Sequence, residues 1–594
     1  MKNPTTLAAC WLEMKNRSSN GVAIRVRRSS GWSDISWQTY SRDIEKAAAG
    51  LLSLGVSPKD RVALISNTRY EWGCADFANF AIGAATVPIY PNSTPEDIVY
   101  MLNESEAAVL IAEGRLTLKI WRKIREQCPR IKTVICFETD DPADPALITW
   151  DSLLEKGKKL LTDTPRKVEE LAEKVRPEDM ATMLFTSGTT GKPKGVVIAH
   201  EQGVSEVTEA FPYVGAEESD ISLCFLPFSH ILGRIELWGH AFIGFTMAYA
   251  ESIEKVRSNL AEIRPTIMVS VPRIFEKVYA GILTQMENQP LKKKLFKWAV
   301  GIGRQVTELR LTKQIIPLPL LAQYELARRL VLEKVREAFG GRLRFAISGG
   351  APISREISTF FHASGVLILE GYGLTETTAA VAVNTPYNYH FGSVGKPFGD
   401  VQIRIAEDGE VLVKSKKIMQ GYYKNPEATA EAVKDGWFHT GDIGEILPGG
   451  DLKITDRKKD LIKTAGGKYV APQRVEGLLQ LHPFVAQSVI HGDNKKFIVA
   501  LLAPDRAALE SDAKARGVTY QHWTDLLEDP QIQSSFRAAV AEANSQLASW
   551  ESIKRYAVLP QEFTVEAGEL TPSLKVRRKA MEKKFADLLE SLYV

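Results

Sequence analysis

Along most of the chain, short apolar runs of strand length alternate with longer stretches in which apolar residues recur every three or four positions. RVALIS from Arg61, ATVPIY from Ala85, AVLIA from Ala108 and TVICF from Thr133 are such runs. Their alternation with helical stretches predicts an α/β fold of parallel-rich sheets covered by helices up to about residue 455. Ser252 to Arg264 reads as a helix that Pro265 ends before the strand TIMVSV, and residues 285 to 339, rich in helix formers and basic residues, read as a helical insertion. From about residue 400 to 455 the pattern changes to short alternating strands, VQIRI, EVLVK and GEIL, split by glycine-rich turns, which predicts a small β subdomain. Beyond Asp456 the charged stretch DRKKD, the strand-like SVI and FIVALLA and a long charged helical tail predict a smaller α+β C-terminal domain over residues 456 to 594.

Length and composition narrow this picture without changing it. At 594 residues the chain exceeds one hydrophobic core, and 44% hydrophobic with 25% charged residues is the mixture of a globular protein. A net charge of +3 sets up no field that marks nucleic acid as a partner. The five cysteines, Cys10, Cys74, Cys128, Cys136 and Cys224, are odd in number and lack CxxC spacing, so reduced thiols and a cytoplasmic location are expected. Leu7 to Cys10 has the look of a lipoprotein box, but only MKNPTT precedes it, and it reads as a helix start. AFIGFTMAYA from Ala241 and IIPLPLLAQ from Ile315 are too short or too proline-broken to span a bilayer. There is no internal repeat.

The strongest chemical signal is LFTSGTTGKPKG, Leu184 to Gly195. Gly188 and Gly191 let consecutive backbone N–H groups face one anion, Thr186, Ser187, Thr189 and Thr190 add hydroxyls, and Lys192 and Lys194 add charge, so the segment suits phosphate. It is not a Walker A loop, because GxxxxGK[ST] is not met; the bland alternative is a glycine-rich surface turn. No GxSxG elbow supports an acyl-serine route.

This segment resembles the phosphate loop of the adenylate-forming enzymes, the superfamily of acyl-CoA synthetases, luciferases and peptide-synthetase adenylation domains. Further stretches that resemble the family's motifs follow in order: GGAP at Gly349 to Pro352, GYGLTE at Gly371 to Glu376, GWFHTGDIG at Gly436 to Gly444, TDRKKDLIKTAGGKYVAP from Thr455, and LTPSLKVRRK at Leu570 to Lys579. The resemblance implies that Gly350, Ala351 and Pro352 contact adenine, that Tyr372 and Gly373 flank it, and that Thr375 meets the α-phosphate. It implies a ribose contact for Asp442 and Arg457, nucleotide contacts for Lys459 and Lys463, a hinge at Asp456 for a mobile C-terminal domain, and a coenzyme A face at Gly466, Gly467 and Lys468. Glu376, with Thr186, would hold Mg2+, and Lys575 would bridge the attacking carboxylate and the α-phosphate. By themselves Glu376 could be a surface or capping acid, Gly441-Asp442 a turn, and Arg577, Arg578 and Lys579 a solvated basic face. The family often carries glycine before the catalytic lysine, where this chain has Leu574.

The implied acyl pocket begins at LPFSHILGRIE, with His230, Ile231, Gly233 and Arg234 as its expected residues. The segment lacks the aspartate that binds an amino-acid ammonium, which disfavours amino acids. His230 would position substrate or guide the thiol, or it could be a satisfied core histidine. NTRYEWGCADFANFAIGAATVPIYPNSTPEDI and the insertion before FAISGGAPIS resemble the long-chain fatty acyl-CoA synthetase branch, implying a ligase that takes ATP, a fatty acid and coenzyme A, with Lys575, Glu376 and His230 at the reaction. The rival expectations are a fatty acyl-AMP ligase loading a carrier protein, an assembly-line adenylation module, and a non-catalytic nucleotide or acyl-CoA sensor. Leu291 to Gln305 sets Lys292, Lys293, Lys294, Lys297 and Arg304 beside Leu295, Phe296, Trp298, Val300 and Ile302. That is either a basic amphipathic helix for an anionic membrane surface or a helix packed on the domain.

Overall fold

The computed structural model describes residues 4–17, 21–139, 144–186, 192–287 and 289–594. Two large sheets carry most of the chain. In one, five parallel strands run in the order Ala85–Ile89, Arg61–Ile65, Val109–Ala112, Thr133–Cys136 and Leu147–Thr149, and Met180–Thr186 joins beside the first of these. Lys194–Ala199 and Gly421–Tyr422 complete its edge in antiparallel register. In the other, Ile368–Leu374, Phe345–Ser348, Ile267–Ser270, Ile221–Cys224, Thr246–Tyr249 and Val22–Arg28 run parallel, with antiparallel strands at both edges. The strands are apolar on both faces because helices cover both; Val62, Ala63 and Leu64 are fully buried.

The largest core lies between these sheets and contains Trp11, Trp72, Phe77, Phe228 and Trp238. The helix Leu7–Lys15, capped by Thr6, enters this core with Leu7, Cys10 and Trp11, so the N-terminal segment is structural. The helices Trp37–Ser53 and Trp150–Asp163 cross closely through Gly50 and Gly157; a Cβ on Gly157 would stand 1.8 Å from the Lys46 carbonyl oxygen.

The expected helix over Ser252 to Arg264 is shorter, Val256–Ile263: Ile253 to Lys255 form a turn ahead of it, and Arg264 ends it at φ 54°. Within the insertion, Pro290–Leu311 and Leu318–Ala327 form two adjacent helices. The apolar side of the first is consumed by packing: Phe296 contacts Phe360 of the helix Arg355–Ala363, ring centroids 5.8 Å apart, and Ala299, Val300, Ile302 and Val306 join the same core. Within Leu291 to Gln305, Phe296, Val300 and Ile302 thus face the core, whereas Leu291 and Leu295 stay exposed.

Gln402–Ile405, Glu410–Lys414, Val433–Lys434, Trp437–Ile446 and Leu452–Arg457 make a small antiparallel sheet. After Arg457 the chain builds a hairpin, Ile462–Lys463 with Tyr469–Val470, and a three-stranded sheet of Val485–His491, Ile498–Pro504 and Ile553–Val558. Helices cover that sheet on both faces with cores of their own. Among the described residues no helix is long and apolar enough to cross a membrane.

Candidate functional site

The carboxyl ends of the central strands open on a cleft of about 4030 Å³ between the large sheets and the chain beyond Arg457, the usual place for a ligand in an open α/β sheet. Thr186 ends one strand there, and Tyr372, Gly373, Thr375 and Glu376 lie at the end of another. Gly373 is required by contact: a Cβ there would fall 1.5 Å from the Ala379 carbonyl oxygen of the adjoining strand. Gly350, Ala351, Pro352, Asp442, Asp456, Arg457, Lys459, Lys192, Lys194 and Lys575 also line this cleft. Ser187, Gly188, Thr189, Thr190 and Gly191 lie outside the described residues.

Asp442 is held from two sides. The Tyr372 hydroxyl donates to its Oδ2 at 2.7 Å, and the Arg457 Nε lies 3.2 Å from Oδ1 across the strand pair that places Asp442 opposite Arg457. Burial pushes the Asp442 carboxyl up, and Arg457 with the Tyr372 hydroxyl opposes that shift. Lys575 reaches this group from the far end of the chain. Burial pulls its ammonium down, aided by Arg457, while Asp442 and Glu376 draw it back up. Its backbone is fixed by Thr571, whose side-chain oxygen accepts from Lys575 N at 3.0 Å and whose N–H donates to the Lys575 carbonyl at 2.8 Å. Leu574, two thirds exposed, takes φ 63°, the left-handed conformation that glycine adopts without strain.

His230 caps the helix Ile231–Ile243, its Nδ1 accepting from Leu232 N at 3.1 Å. Burial first, and then the nearby Lys575, bring the ring down to about 4. A neutral imidazole whose Nδ1 accepts carries its proton on Nε2. Behind His230 lies an apolar cavity of about 60 Å³ that shares His230, Ile231 and Tyr372 with the cleft wall. Phe211, Val214, Ile235, Val269 and Ile347 line it, and Glu206 adds the single charged side chain. Glu206 is fully buried and paired at 3.1 Å with the equally buried Lys417.

Arg234 and Gly233 do not line either space. Arg234 is completely buried, its NH2 group 2.7 Å from Asp76 and its guanidinium 5.0 and 4.9 Å from the ring centroids of Trp72 and Trp238. One helical turn beyond His230 the side chain points into the core, so the expectation of a pocket role for Arg234 is corrected to a packing role. Gly233 allows its helix to approach the Pro227 carbonyl oxygen, which a Cβ would meet at 2.5 Å. Lys463, over the Tyr469 ring, and Gly466, Gly467 and Lys468 stand outside the cleft in this arrangement.

Three site residues escape motif reading. The Tyr422 hydroxyl donates to Glu376 Oε1 at 2.9 Å, and Lys194 sits 4.8 Å from the centre of the Tyr422 ring. Tyr422 arrives there because Gly421–Tyr422 pairs with Lys194–Ala199, a contact across more than two hundred residues that no local pattern announces. Glu370 also lines the cleft; burial pushes it up to about 8, and Ile353 N donates to its Oε1 at 3.3 Å. Phe211 looks in sequence like any apolar helix position. For a divalent cation the fit is that of magnesium with a bound phosphate. Glu376 Oε2 makes no hydrogen bond among the described residues, and these contain no group of three or more His, Cys, Asp or Glu able to hold an ion unaided.

The chain matches two family models, the AMP-binding enzyme over residues 14–423 and the AMP-binding enzyme C-terminal domain over residues 459–594. It is 38% identical to the long-chain fatty acid–CoA ligase FadD15 of Mycobacterium bovis, covering 95% of this chain and 92% of that one. It is 30% identical to long-chain fatty acid–CoA ligase 5 of Rattus norvegicus, with 97% and 86% covered. In fold it is similar to the anthranilate CoA ligase AuaEII in complex with anthranoyl-AMP, with a TM-score of 0.74 at 18% identity over 100% of this chain and 99% of that one. The convergence of Tyr372, Asp442, Arg457 and Lys575 on one cleft, together with these matches over nearly the whole length, places the chain in the AMP-binding enzyme family of the adenylate-forming superfamily.

Proposed function

We propose that the protein is a long-chain fatty acid–CoA ligase that forms an acyl-adenylate and then a thioester in the same cleft. The observation that carries this reading is that Lys575 shares a cleft with Tyr372, Asp442 and Glu376 whose wall opens, at His230, on an apolar cavity. The named relatives, long-chain fatty acid–CoA ligases at 30–38% identity, support the same acid and acceptor.

ATP would lie with adenine between Tyr372 and the Gly350 to Pro352 turn and with its ribose hydroxyls on Asp442, displacing the Tyr372 hydroxyl from that carboxylate. The fatty carboxylate, accepting from His230 Nε2–H, attacks the α-phosphorus; a carboxylate O–P bond forms and the bond to pyrophosphate breaks. Lys575 lies between the two anions and offsets their repulsion as charge builds on the α-phosphate. Glu376, with phosphate oxygens, would hold magnesium, which when bound neutralises the leaving pyrophosphate. In the second step rotation about Asp456 withdraws Lys575 and brings the Gly466 to Lys468 loop toward the cleft. The coenzyme A thiol then gives its proton to water and its thiolate attacks the acyl carbon; a C–S bond forms and the acyl C–O bond breaks, releasing AMP.

The test is pyrophosphate release across fatty acids of graded length, with and without coenzyme A. Release that depends on a long-chain acid and turns over only with coenzyme A is the expected result. Release with turnover only on a carrier protein would make the chain a carrier loader, and no acid-dependent release would leave a nucleotide or acyl-CoA sensor.

A further inference from the structure

Few directional contacts join the chain beyond Arg457 to the body of the protein. Next to Asp456, Arg457 pairs with Asp442, and Lys458 pairs with Asp408 and Glu410. Among the described residues beyond Lys458, a single hydrogen bond reaches back to the body: Asn92 Nδ2 donates to the Pro572 carbonyl oxygen at 3.0 Å, across 480 positions of sequence. Leu481 adds an apolar contact with the core that contains Phe360 and Phe361. An apolar contact has no preferred direction, whereas a hydrogen bond sets both distance and angle, so the bond from Asn92 is the one that fixes where the Pro572 loop sits.

Both ends of this bond are stiff. Asn92 follows the strand Ala85–Ile89 in a turn closed by Ser93 N, which donates to the Tyr90 carbonyl at 3.1 Å, and Thr94 then caps the helix Pro95–Glu104. The end of the same strand is tied to the residue before His230, since the Ser229 hydroxyl donates to the Ile89 carbonyl at 3.1 Å. On the other side Pro572 lies inside the clasp in which Thr571 bonds Lys575 twice and Leu574 N donates to the Thr571 carbonyl at 2.8 Å. Holding the Pro572 carbonyl therefore holds Lys575, and Asn92 ties that lysine to the frame that carries His230. The Asn92 side chain is exposed and makes no other hydrogen bond among the described residues, so this bond is not a by-product of core packing.

We propose that Asn92 is a positioning residue for the first half-reaction: it keeps the Pro572 loop, and with it Lys575, at the cleft, and lets go when the part beyond Asp456 moves for the second. The inference rests on the two-step reaction proposed above. Because the bond belongs to one arrangement of the two parts, losing it shifts the balance away from that arrangement and costs the other nothing.

The variants are Asn92→Asp, which has the same shape but no donor, and Asn92→Ala. Hydrogen exchange of the full chain without substrates should quicken by about two- to tenfold in peptides over residues 570–576, the worth of one net hydrogen bond, and stay as it is in the strands of the core. This arm involves no catalysis. In single turnovers both variants should slow pyrophosphate release by up to about tenfold and leave thioester formation from supplied acyl-adenylate and coenzyme A unimpaired. In a chain that already carries Lys575→Ala, Asn92→Asp should slow release no further, because Asn92 acts through that lysine. Unchanged exchange over 570–576, equal slowing of both half-reactions, or undiminished slowing in the Lys575→Ala chain overturns the proposal. Absence of acid-dependent release from the wild-type chain would instead reject the ligase reading, and the exchange arm would then decide by itself whether Asn92 holds the loop.

Discussion

Leu574 pays a conformational cost one residue before Lys575, the lysine to which the proposed mechanism gives adenylation. Its φ of 63° is disfavoured for any side chain with a Cβ, by about 1–2 kcal/mol, and with two thirds of its surface in solvent it recovers little by packing. Leu574→Gly should therefore raise the stability of the protein by up to about 1 kcal/mol after the added chain entropy of glycine is deducted, seen as a higher melting temperature. A fall of similar size would mean that the leucine side chain makes contacts that matter. Tyr422 is the second informative residue. Tyr422→Phe keeps the ring under Lys194 but removes the donor to Glu376, a charged hydrogen bond of about 1.5–3 kcal/mol. The magnesium concentration for half-maximal pyrophosphate release should rise severalfold, and an unchanged magnesium curve would show that Glu376 needs no such support. Glu376 could be picked from the sequence because it sits inside a contiguous motif; Tyr422 could not, because only strand pairing brings it near.

At the scale of elements, the apolar cavity behind His230, about 60 Å³, is far too small for a long acyl chain. Something must yield, and Phe211 is placed to do so. Its ring lies against the bare backbone of Gly239, where a Cβ would stand 2.1 Å from the ring edge. Gly239→Ala should drive that ring into the cavity and shift the preferred acid to shorter chains, while Phe211→Ala should shift it to longer ones. Chain-length profiles of pyrophosphate release check this, and parallel shifts in both variants would reject Phe211 as the stop. The parallel strands and the insertion were legible because apolar runs and helical periodicity are local signals. The strand Ile553–Val558 was hidden in a charged tail, since KRYAV leaves Lys554 and Arg555 exposed and buries none of its residues. The orientation of Arg234 was equally hidden: a buried arginine is intelligible only once Asp76, from the helix Tyr70–Ala81, is seen to meet it.

For the whole molecule, the proposed mechanism divides the labour of the C-terminal part between the two half-reactions. Lys575→Ala should cut acyl-adenylate formation by at least about 100-fold, in line with loss of a preorganised charge, and leave thioester formation from supplied acyl-adenylate nearly intact. Equal loss in both steps would reject the assigned role. Asp456, the proposed pivot, is sensitive to protons. Asp456 is almost fully buried, its Oδ2 has no hydrogen-bond partner, and burial pushes its carboxyl up to about 7. A raised carboxyl means that the folded chain binds more protons than the unfolded one between the ordinary value and about 7, so this group lowers stability as pH rises through that window. Asp456→Asn should flatten the decline between about pH 4 and 7 by roughly 2–4 kcal/mol, measured by denaturant unfolding. A decline as steep as in the wild-type chain would place the carboxyl's titration elsewhere. The order of the motifs made the shared nucleotide cleft foreseeable, whereas the protonation of its pivot depends on how neighbouring elements exclude water.

All five thiols are buried, and burial raises Cys10 to about 12 and holds the others above the usual thiol range. Native cysteines will thus stay silent toward maleimides and other alkylating dyes as long as the fold is intact. One new cysteine at an exposed position on each side of Asp456 would take donor and acceptor fluorophores without any background deletion, so the proposed swing can be looked for, and timed, in single molecules.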